Sequence, residues 1–269
     1  MKTEEKVFSN LSLVRQKSPL VHNITNYVVM NPTANALLAA GASPVMAHAV
    51  EEAEDMAAIA SALVINIGTL SPSWVEAMHI AMNSARDKGI PVVFDPVGAG
   101  ATYYRNQAAK ELISSVPPDI IRGNASEIQA LYSVEAKSKG VDTTRESESA
   151  VDAGRHLSEN YNCVTVISGQ VDYIVAGDRV ESVSNGTALM ARVTGMGCTA
   201  SALIGAFAGV NPDPAEAAVS AMIVMGIAGQ MAREKSSGPG TLQLHFLDCL
   251  YQMDEEVISK LCKHKTGYA

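Results

Sequence analysis

The chain has 269 residues, 47% of them hydrophobic and 18% charged, with a single Trp, so it can bury a large aliphatic core, which excludes disorder and suits an ordinary globular enzyme. A net charge of −8, with lysines and arginines scattered along the chain, argues against a nucleic-acid footprint, so any phosphate it binds is expected to be small. The four cysteines, Cys163, Cys198, Cys249 and Cys262, show no CxxC spacing and no paired histidines, so neither a zinc site nor a disulfide framework is expected, and a reducing cytoplasm fits best.

From the start, MKTEEKVFSNL mixes acids with bases and lacks an apolar stretch, so no secretory signal is expected. Short β-branched runs follow: SPVMA near 45, ALVINIG near 65, PVVFDPV near 94, DIIRGN near 121 and CVTVISG near 166. Between them, PSWVEAMHIAMNSARDKG and SESAVDAGRHLSENYN have helical spacing. Strands alternating with helices predict an α/β fold, a mostly parallel central sheet with helices on both faces. DYIVAGDRVESVSNGT, 172–187, reads as antiparallel hairpin material with AGDR as a turn and NG as a second one. Beyond Cys198 the chain reads as mainly helical, with GPG at 238–240 as a break. The apolar runs 198–210 and 217–229 fall short of the roughly 20 residues a membrane span needs and read as buried helices. With no repeat, low-complexity tract or linker in view, a single domain over 1–269 is the simplest organisation.

In open α/β sheets, ligands bind beyond the carboxyl ends of the strands. Here those ends are polar and glycine-rich: IGTLSPS, FDPVGAGAT, IRGNASE, ISGQVD, and further on TGMGCTAS. They are expected to converge on one pocket. Asp95 ends an apolar run beside Pro and two glycines, a position suited to magnesium, directly or through water, though an Asp organising a turn is the plainer alternative. RGNASE supplies Arg122, Asn124 and Glu127, a guanidinium for phosphate with an amide and a carboxylate for hydrated magnesium, which together suit a nucleoside triphosphate. The same residues also spell a capping box, Asn124 with Glu127 three positions on.

TGMGCTAS carries the strongest signal. Gly195 and Gly197 free the backbone where a helix begins, and helix-terminal N–H groups with their positive dipole end suit an anion. No GKS or GKT follows, so this is not a Walker A loop. Gly195, Gly197 and Ala200 do match GxGxxA, but the acidic residue expected to end a strand about 20 positions on is missing, which leaves a dehydrogenase a minor alternative. No histidine stands in a metal-ligand spacing such as HExxH, and His22, His48 and His79 cannot be set beside Cys198 from sequence.

PLVHNITNYVVMNPTANALLAAGASPVMAHA, INIGTLS, FDPVGAGAT, IRGNASEI and VTGMGCTASALIGAF, in that order from about 19 to about 210, resemble the hydroxyethylthiazole kinases of the ribokinase-like superfamily. The resemblance implies a ribokinase-like three-layer fold, ATP as co-substrate, Mg2+, and phosphorylation of the primary alcohol of 4-methyl-5-(2-hydroxyethyl)thiazole in thiamine salvage. It also implies a cytoplasmic homotrimer with active sites between subunits, and no nucleic-acid or membrane partner. Carried over residue by residue, Met46, Gly195 and Asn26 would touch the thiazole. Arg122, Ser168, Asn124 and Gly197 would contact ATP, and Asp95 and Glu127 would organise magnesium. Members commonly carry Thr where this chain has Ser168, which keeps the hydroxyl. Nothing is carried over for 133–160.

The wider superfamily places an Asp after the glycine-rich anion hole, and the resemblance puts Cys198 there as a weak base or a group that positions the hydroxyl. Phosphoryl transfer is mostly positioning and charge stabilisation, so a thiol need not abolish it. A helix N-terminus is expected to lower the thiol pKa and so make proton acceptance near neutrality plausible. The alternatives are an inert buried cysteine, another ribokinase-like small-alcohol kinase of the hydroxymethylpyrimidine type, and a non-catalytic binder of nucleotide or thiazole.

Overall fold

The computed structural model describes residues 1–138 and 149–267, so part of the unmatched 133–160 region lies outside the described residues. In chain order the elements are α1 (Thr3–Lys17), β1 (Leu20–Ile24), α2 (Met30–Ala40), β2 (Ser43–Val45), α3 (Ala53–Ile59), β3 (Ala62–Asn66), α4 (Pro72–Lys88), β4 (Val92–Asp95), α5 (Tyr103–Ser115) and β5 (Ile120–Asn124). They continue with α6 (Ala125–Ser138), α7 (Ala150–Tyr161), β6 (Val164–Ser168), β7 (Asp172–Ala176), β8 (Arg179–Val183), a 3-10 turn (Ala188–Arg192), α8 (Met196–Ala208), α9 (Pro214–Glu234), α10 (Pro239–Gln252), α11 (Glu255–Leu261) and β9 (His264–Thr266).

The strands form one nine-stranded sheet in the order β2-β1-β3-β4-β5-β6-β7-β8-β9. Pairing is parallel from β2 through β6 and antiparallel from β6 to β9. Alternation along each strand splits the core between the two faces. Val64 and Val93 join α1, α2, α8, α9 and α10 in one apolar cluster. Leu63, Ile65, Val92 and Phe94 face the other way, into the cluster of α3, α4, α5, α6 and α7. The result is the expected three-layer α/β arrangement.

Several elements depart from the sequence reading. β1 was not among the expected strands because its apolar run is interrupted by His22 and Asn23, both fully enclosed. The AGDR turn closes the β7–β8 hairpin, with Gly177 at φ +58. Asn185–Gly186 instead leads into the 3-10 turn, and β8 takes its second neighbour from the far end of the chain, β9. GPG marks the break between α9, which ends at Glu234, and α10, which Pro239 opens, and a second break that the sequence reading ran through lies at Met253–Asp254, where Asp254 caps α11.

The expectation that both apolar runs are too short to span a membrane is corrected for the second. α9 reaches 21 residues and is long and apolar enough by length and composition, because it starts three residues before the apolar run, at Pro214 with Asp213 as its cap, and continues five residues past it, to Glu234. Its apolar window is 83% buried inside the fold, as expected for a core helix.

Candidate active site

Parallel pairing brings the carboxyl ends of the strands to one edge of the sheet. Register sets Asn66 beside Asp95 across β3 and β4, and Asn124 beside Ser168 across β5 and β6. α8 begins over this edge. Its N-cap, Gly195, sits at φ +84, a left-handed conformation that glycine adopts without strain, and a Cβ there would stand 2.8 Å from Val29 Cγ1.

On one side of that first turn lies a chain of hydrogen bonds. Asn26 Nδ2 donates to Cys198 Sγ at 3.5 Å and to Asn66 Oδ1 at 2.9 Å. Asn66 Nδ2 donates to Asp95 Oδ2 at 2.7 Å, and Ser201 Oγ donates to the same oxygen at 2.8 Å. Asp95 is fully buried, and its other oxygen, Oδ1, has no hydrogen-bond partner among the described residues. Burial pushes the Asp95 carboxyl up to about 6, against the pull of the Arg122 charge and the Ser201 hydroxyl, with the Glu127 charge adding to the rise.

Glu127 forms the capping box foreseen from RGNASE: its Oε2 accepts from Asn124 N at 2.9 Å, while Asn124 Oδ1 accepts from Glu127 N at 3.0 Å. Its other oxygen accepts from Gly98 N at 2.9 Å, which ties the DPVGAGAT loop to α6. Capping therefore occupies one lone pair on each oxygen and leaves others open. A cation can be tested against this set. An enclosed carboxylate oxygen without a donor, repelled by a second carboxylate, suits a hard cation that takes one or two carboxylates and completes its shell with water and phosphate, as magnesium does. Among the described residues no cluster of three or more His, Cys, Asp or Glu exists, so an all-protein cage is not the arrangement here.

On the other side of the turn, Arg122 Nη2 donates to Ser168 Oγ at 2.6 Å, and Arg122 Nε is buried without a partner among the described residues. A Cβ on Gly197 would stand 2.6 Å from Arg122 Nη1, so the glycine lets the guanidinium lie against the helix start. Arg122, Ser168 and Gly197 line a cavity of about 840 Å³ that continues past Asp172 and Asn185 to Met222 and Met225. Burial raises the Asp172 carboxyl to about 6, opposed by its bond from Gly169 N and by the Arg122 charge.

A match to the hydroxyethylthiazole kinase family model covers residues 11–256. The chain belongs to the hydroxyethylthiazole kinase family. A hydroxyethylthiazole kinase of Syntrophus aciditrophicus (strain SB) is 59% identical over 266 residues, 98% of each chain. A solved hydroxyethylthiazole kinase from Pyrococcus horikoshii OT3 superposes with a TM-score of 0.91 at 42% identity, over 98% of this chain and 100% of that one. A ribokinase-like superfamily protein from Enterococcus faecalis V583, at 13% identity and TM-score 0.63 over 92% and 89%, shares the fold. Membership removes the dehydrogenase alternative that GxGxxA left open: the chain is a kinase.

The structure draws together Asn26, Asp95, Arg122, Glu127, Ser168, Gly195, Gly197 and Cys198 around the start of α8. Asn124 is at the same edge with its side-chain oxygen spent on capping α6. Met46 is half-buried just past β2, the edge strand, which pairs in parallel with β1. The five strand ends do not meet in one cavity. The large one takes residues from ISGQVD and TGMGCTAS with Arg122, while Asp95 and Glu127 do not line it.

The thiol also departs from expectation. Burial, and then the Asp95 charge, push Cys198 up to about 11, so the helix terminus does not make it acidic and it carries its proton at neutral pH. The histidines find partners elsewhere, His22 on Ala47 O and His79 on Ser115. Sequence reasoning missed Asn66, Ser201 and Arg105. The last sends its guanidinium to the carbonyls of Val97 and Gly68, both at 2.8 Å, and so pins the loops after β3 and β4. Only Asn66 gave a signal, as a polar residue closing the apolar run ALVI.

Proposed function

We propose that this chain transfers the γ-phosphoryl group of ATP to the primary alcohol of 4-methyl-5-(2-hydroxyethyl)thiazole, giving the thiazole phosphate and ADP for thiamine salvage. The observation that carries this reading is that one helix turn touches both halves of such a reaction: Gly197 lies against Arg122, and Cys198, the next residue, accepts from Asn26. Helix-start N–H groups and the free donors of Arg122 then face the charge that spreads over the transferring phosphoryl oxygens. The alcohol oxygen bonds to phosphorus as the bond to the ADP oxygen breaks, and the hydroxyl proton leaves late, passing to an oxygen of the transferred phosphoryl group and from there to water, as a loose transition state allows. A thiol that keeps its proton at neutral pH holds that hydroxyl in line rather than stripping it.

Magnesium, held by Asp95 and Glu127 directly or through water, would supply neutralisation of the phosphate oxygens. Ser168 and Asn124 complete the nucleotide contacts in this reading, and Met46 with Gly195 and Asn26 those of the thiazole. We assign the whole of 1–269 to one kinase domain working in the cytoplasm as a homotrimer. Active sites shared between subunits are supported by the exposure of Tyr27 (62%) and Val28 (63%) beside Asn26, which leaves two large apolar side chains uncovered there.

The test is ADP formation with magnesium and the thiazole alcohol, beside a pyrimidine alcohol and a blank without acceptor. Turnover that depends on the thiazole supports the assignment. Stimulation by the pyrimidine alone, or ATP binding without turnover, would replace it with one of the two alternatives.

A further inference from the structure

Asp95 and Cys198 belong to different halves of the proposed reaction, and a single amide joins them. Asn66 is 1% exposed, and its side chain is bonded at both ends: Oδ1 accepts from Asn26 Nδ2 and from Gly68 N, each at 2.9 Å, and Nδ2 donates to Asp95 Oδ2 at 2.7 Å. An amide can accept through its oxygen and donate through its nitrogen at the same time, so one side chain joins the two neighbours. The backbone is shaped around it, since a Cβ on Gly68 would stand 2.6 Å from Asn26 Nδ2. With Asn66 and Ser201 both on Oδ2, the Asp95 carboxylate is turned so that Oδ1 is the oxygen left open.

We propose that Asn66 is a positioning residue that holds the alcohol end of the site, Asn26 and Cys198, in register with the carboxylate end, Asp95. It touches neither substrate and acts through both neighbours. The inference rests on the kinase reading above for its two ends, and on the hydrogen bonds alone for the coupling between them. Ser201 supplies the internal comparison, because it shares Asp95 with Asn66 but makes no bond to Asn26.

The experiment is a pair of double-variant cycles on the full-length protein, scored as kcat per folded molecule, with calorimetric binding of a magnesium complex of a non-hydrolysable ATP analogue as a separate arm. Asn66→Ala lowers kcat and analogue affinity about 10- to 100-fold, the range for residues that orient a ligating group. In the first cycle, Asn26→Ala costs less when added to Asn66→Ala than it does in wild type, because the bond to Asn66, one of the contacts it removes, is already gone. In the second, Asn26→Ala and Ser201→Ala multiply. Asn66→Asp, close in shape, keeps the acceptor for Asn26 and Gly68 and replaces the amide donor with a carboxyl that must share a proton with Asp95 or repel it, so it loses affinity and kcat even where Asn66→Ala does not fold.

Multiplicative losses in both cycles, or a kcat for Asn66→Ala or Asn66→Asp within threefold of wild type, would overturn the proposal. If wild type does not phosphorylate the thiazole alcohol, the kinase reading fails by itself. The calorimetric arm then decides the role of Asn66, with unchanged analogue affinity counting against it.

Discussion

The two sides of the first turn of α8 are built in opposite ways. On the Cys198 side, Asn26, Asn66, Asp95 and Ser201 are each no more than 5% exposed, and every one of them is hydrogen-bonded to another member of the set. On the Arg122 side, the cavity of about 840 Å³ has Met190, Met196, Met222 and Met225 in its wall among glycines, alanines and polar side chains, and among the described residues Arg122 has one side-chain hydrogen bond, to Ser168. Directional bonds fix atoms to within tenths of an ångström, whereas thioethers and small side chains adapt to what they enclose. On the proposed reaction, the rigid side is where a phosphorus and an oxygen would meet in line, and the yielding side is where the bulk of a nucleotide would fit.

The comparison predicts its largest effect at the most tightly held group. Asp95→Asn keeps the shape but removes the charge and sets an amide against the Asn66 donor, so kcat is expected to fall about 10²- to 10³-fold, as for loss of one preorganised electrostatic contact. Steady-state kinetics at saturating magnesium checks this, and a loss appearing only in KM would show that the rigid side serves binding alone. Next comes the thiol. A group that positions the hydroxyl contributes less than the roughly 10²- to 10⁴-fold of a general base, so Cys198→Ala should cost about tenfold and Cys198→Asp should match or exceed wild type near neutrality. A loss in Cys198→Ala beyond about 10⁴-fold would return the thiol to the role of base or nucleophile. On the yielding side, Gly197→Ala forces the Arg122 guanidinium aside. That loosens one charge-assisted contact, so KM for ATP should rise about tenfold with kcat little changed. An equal fall in kcat would mean that the guanidinium acts on the transition state as well.

The same contrast explains how much the sequence disclosed. The yielding side was legible because glycines at 195 and 197 and the arginine at 122 mark anion chemistry by residue type, and the strands beneath them, IIRGN and VTVIS, begin with buried β-branched residues. The capping box at Asn124 and Glu127 was legible for the same reason, being a local pattern. The rigid side was not. Asn66 and Ser201 acquire their meaning only from Asp95, at chain separations of 29 and 106 residues. β1 escaped because a strand with His22 and Asn23 enclosed in its middle lacks the alternation that betrays a strand. The thiol misled for a related reason: sequence gave the helix start, which lowers a pKa, but not the burial and the neighbouring carboxylate, which raise it further.

The smallest effect separates the two sides by stability instead of rate. Asp172, on the cavity wall, is held at about 6 where its ordinary value is 3.8. Between those values the folded protein keeps a proton that the unfolded chain has lost, so this group's contribution to stability declines as pH rises through that window and is flat above about 6. Asp172→Asn removes the penalty of holding a buried charge while retaining an acceptor for Gly169 N. At pH 8 the variant should therefore be more stable by about 1–3 kcal/mol, a rise of a few degrees in Tm, and at pH 4 the gain should vanish. Thermal melts at the two pH values decide it. A gain of equal size at both would trace to shape and not to charge, whereas a gain confined to high pH would mean that the yielding side, too, keeps one ionised group at a cost to stability, and that its adaptability ends at Asp172.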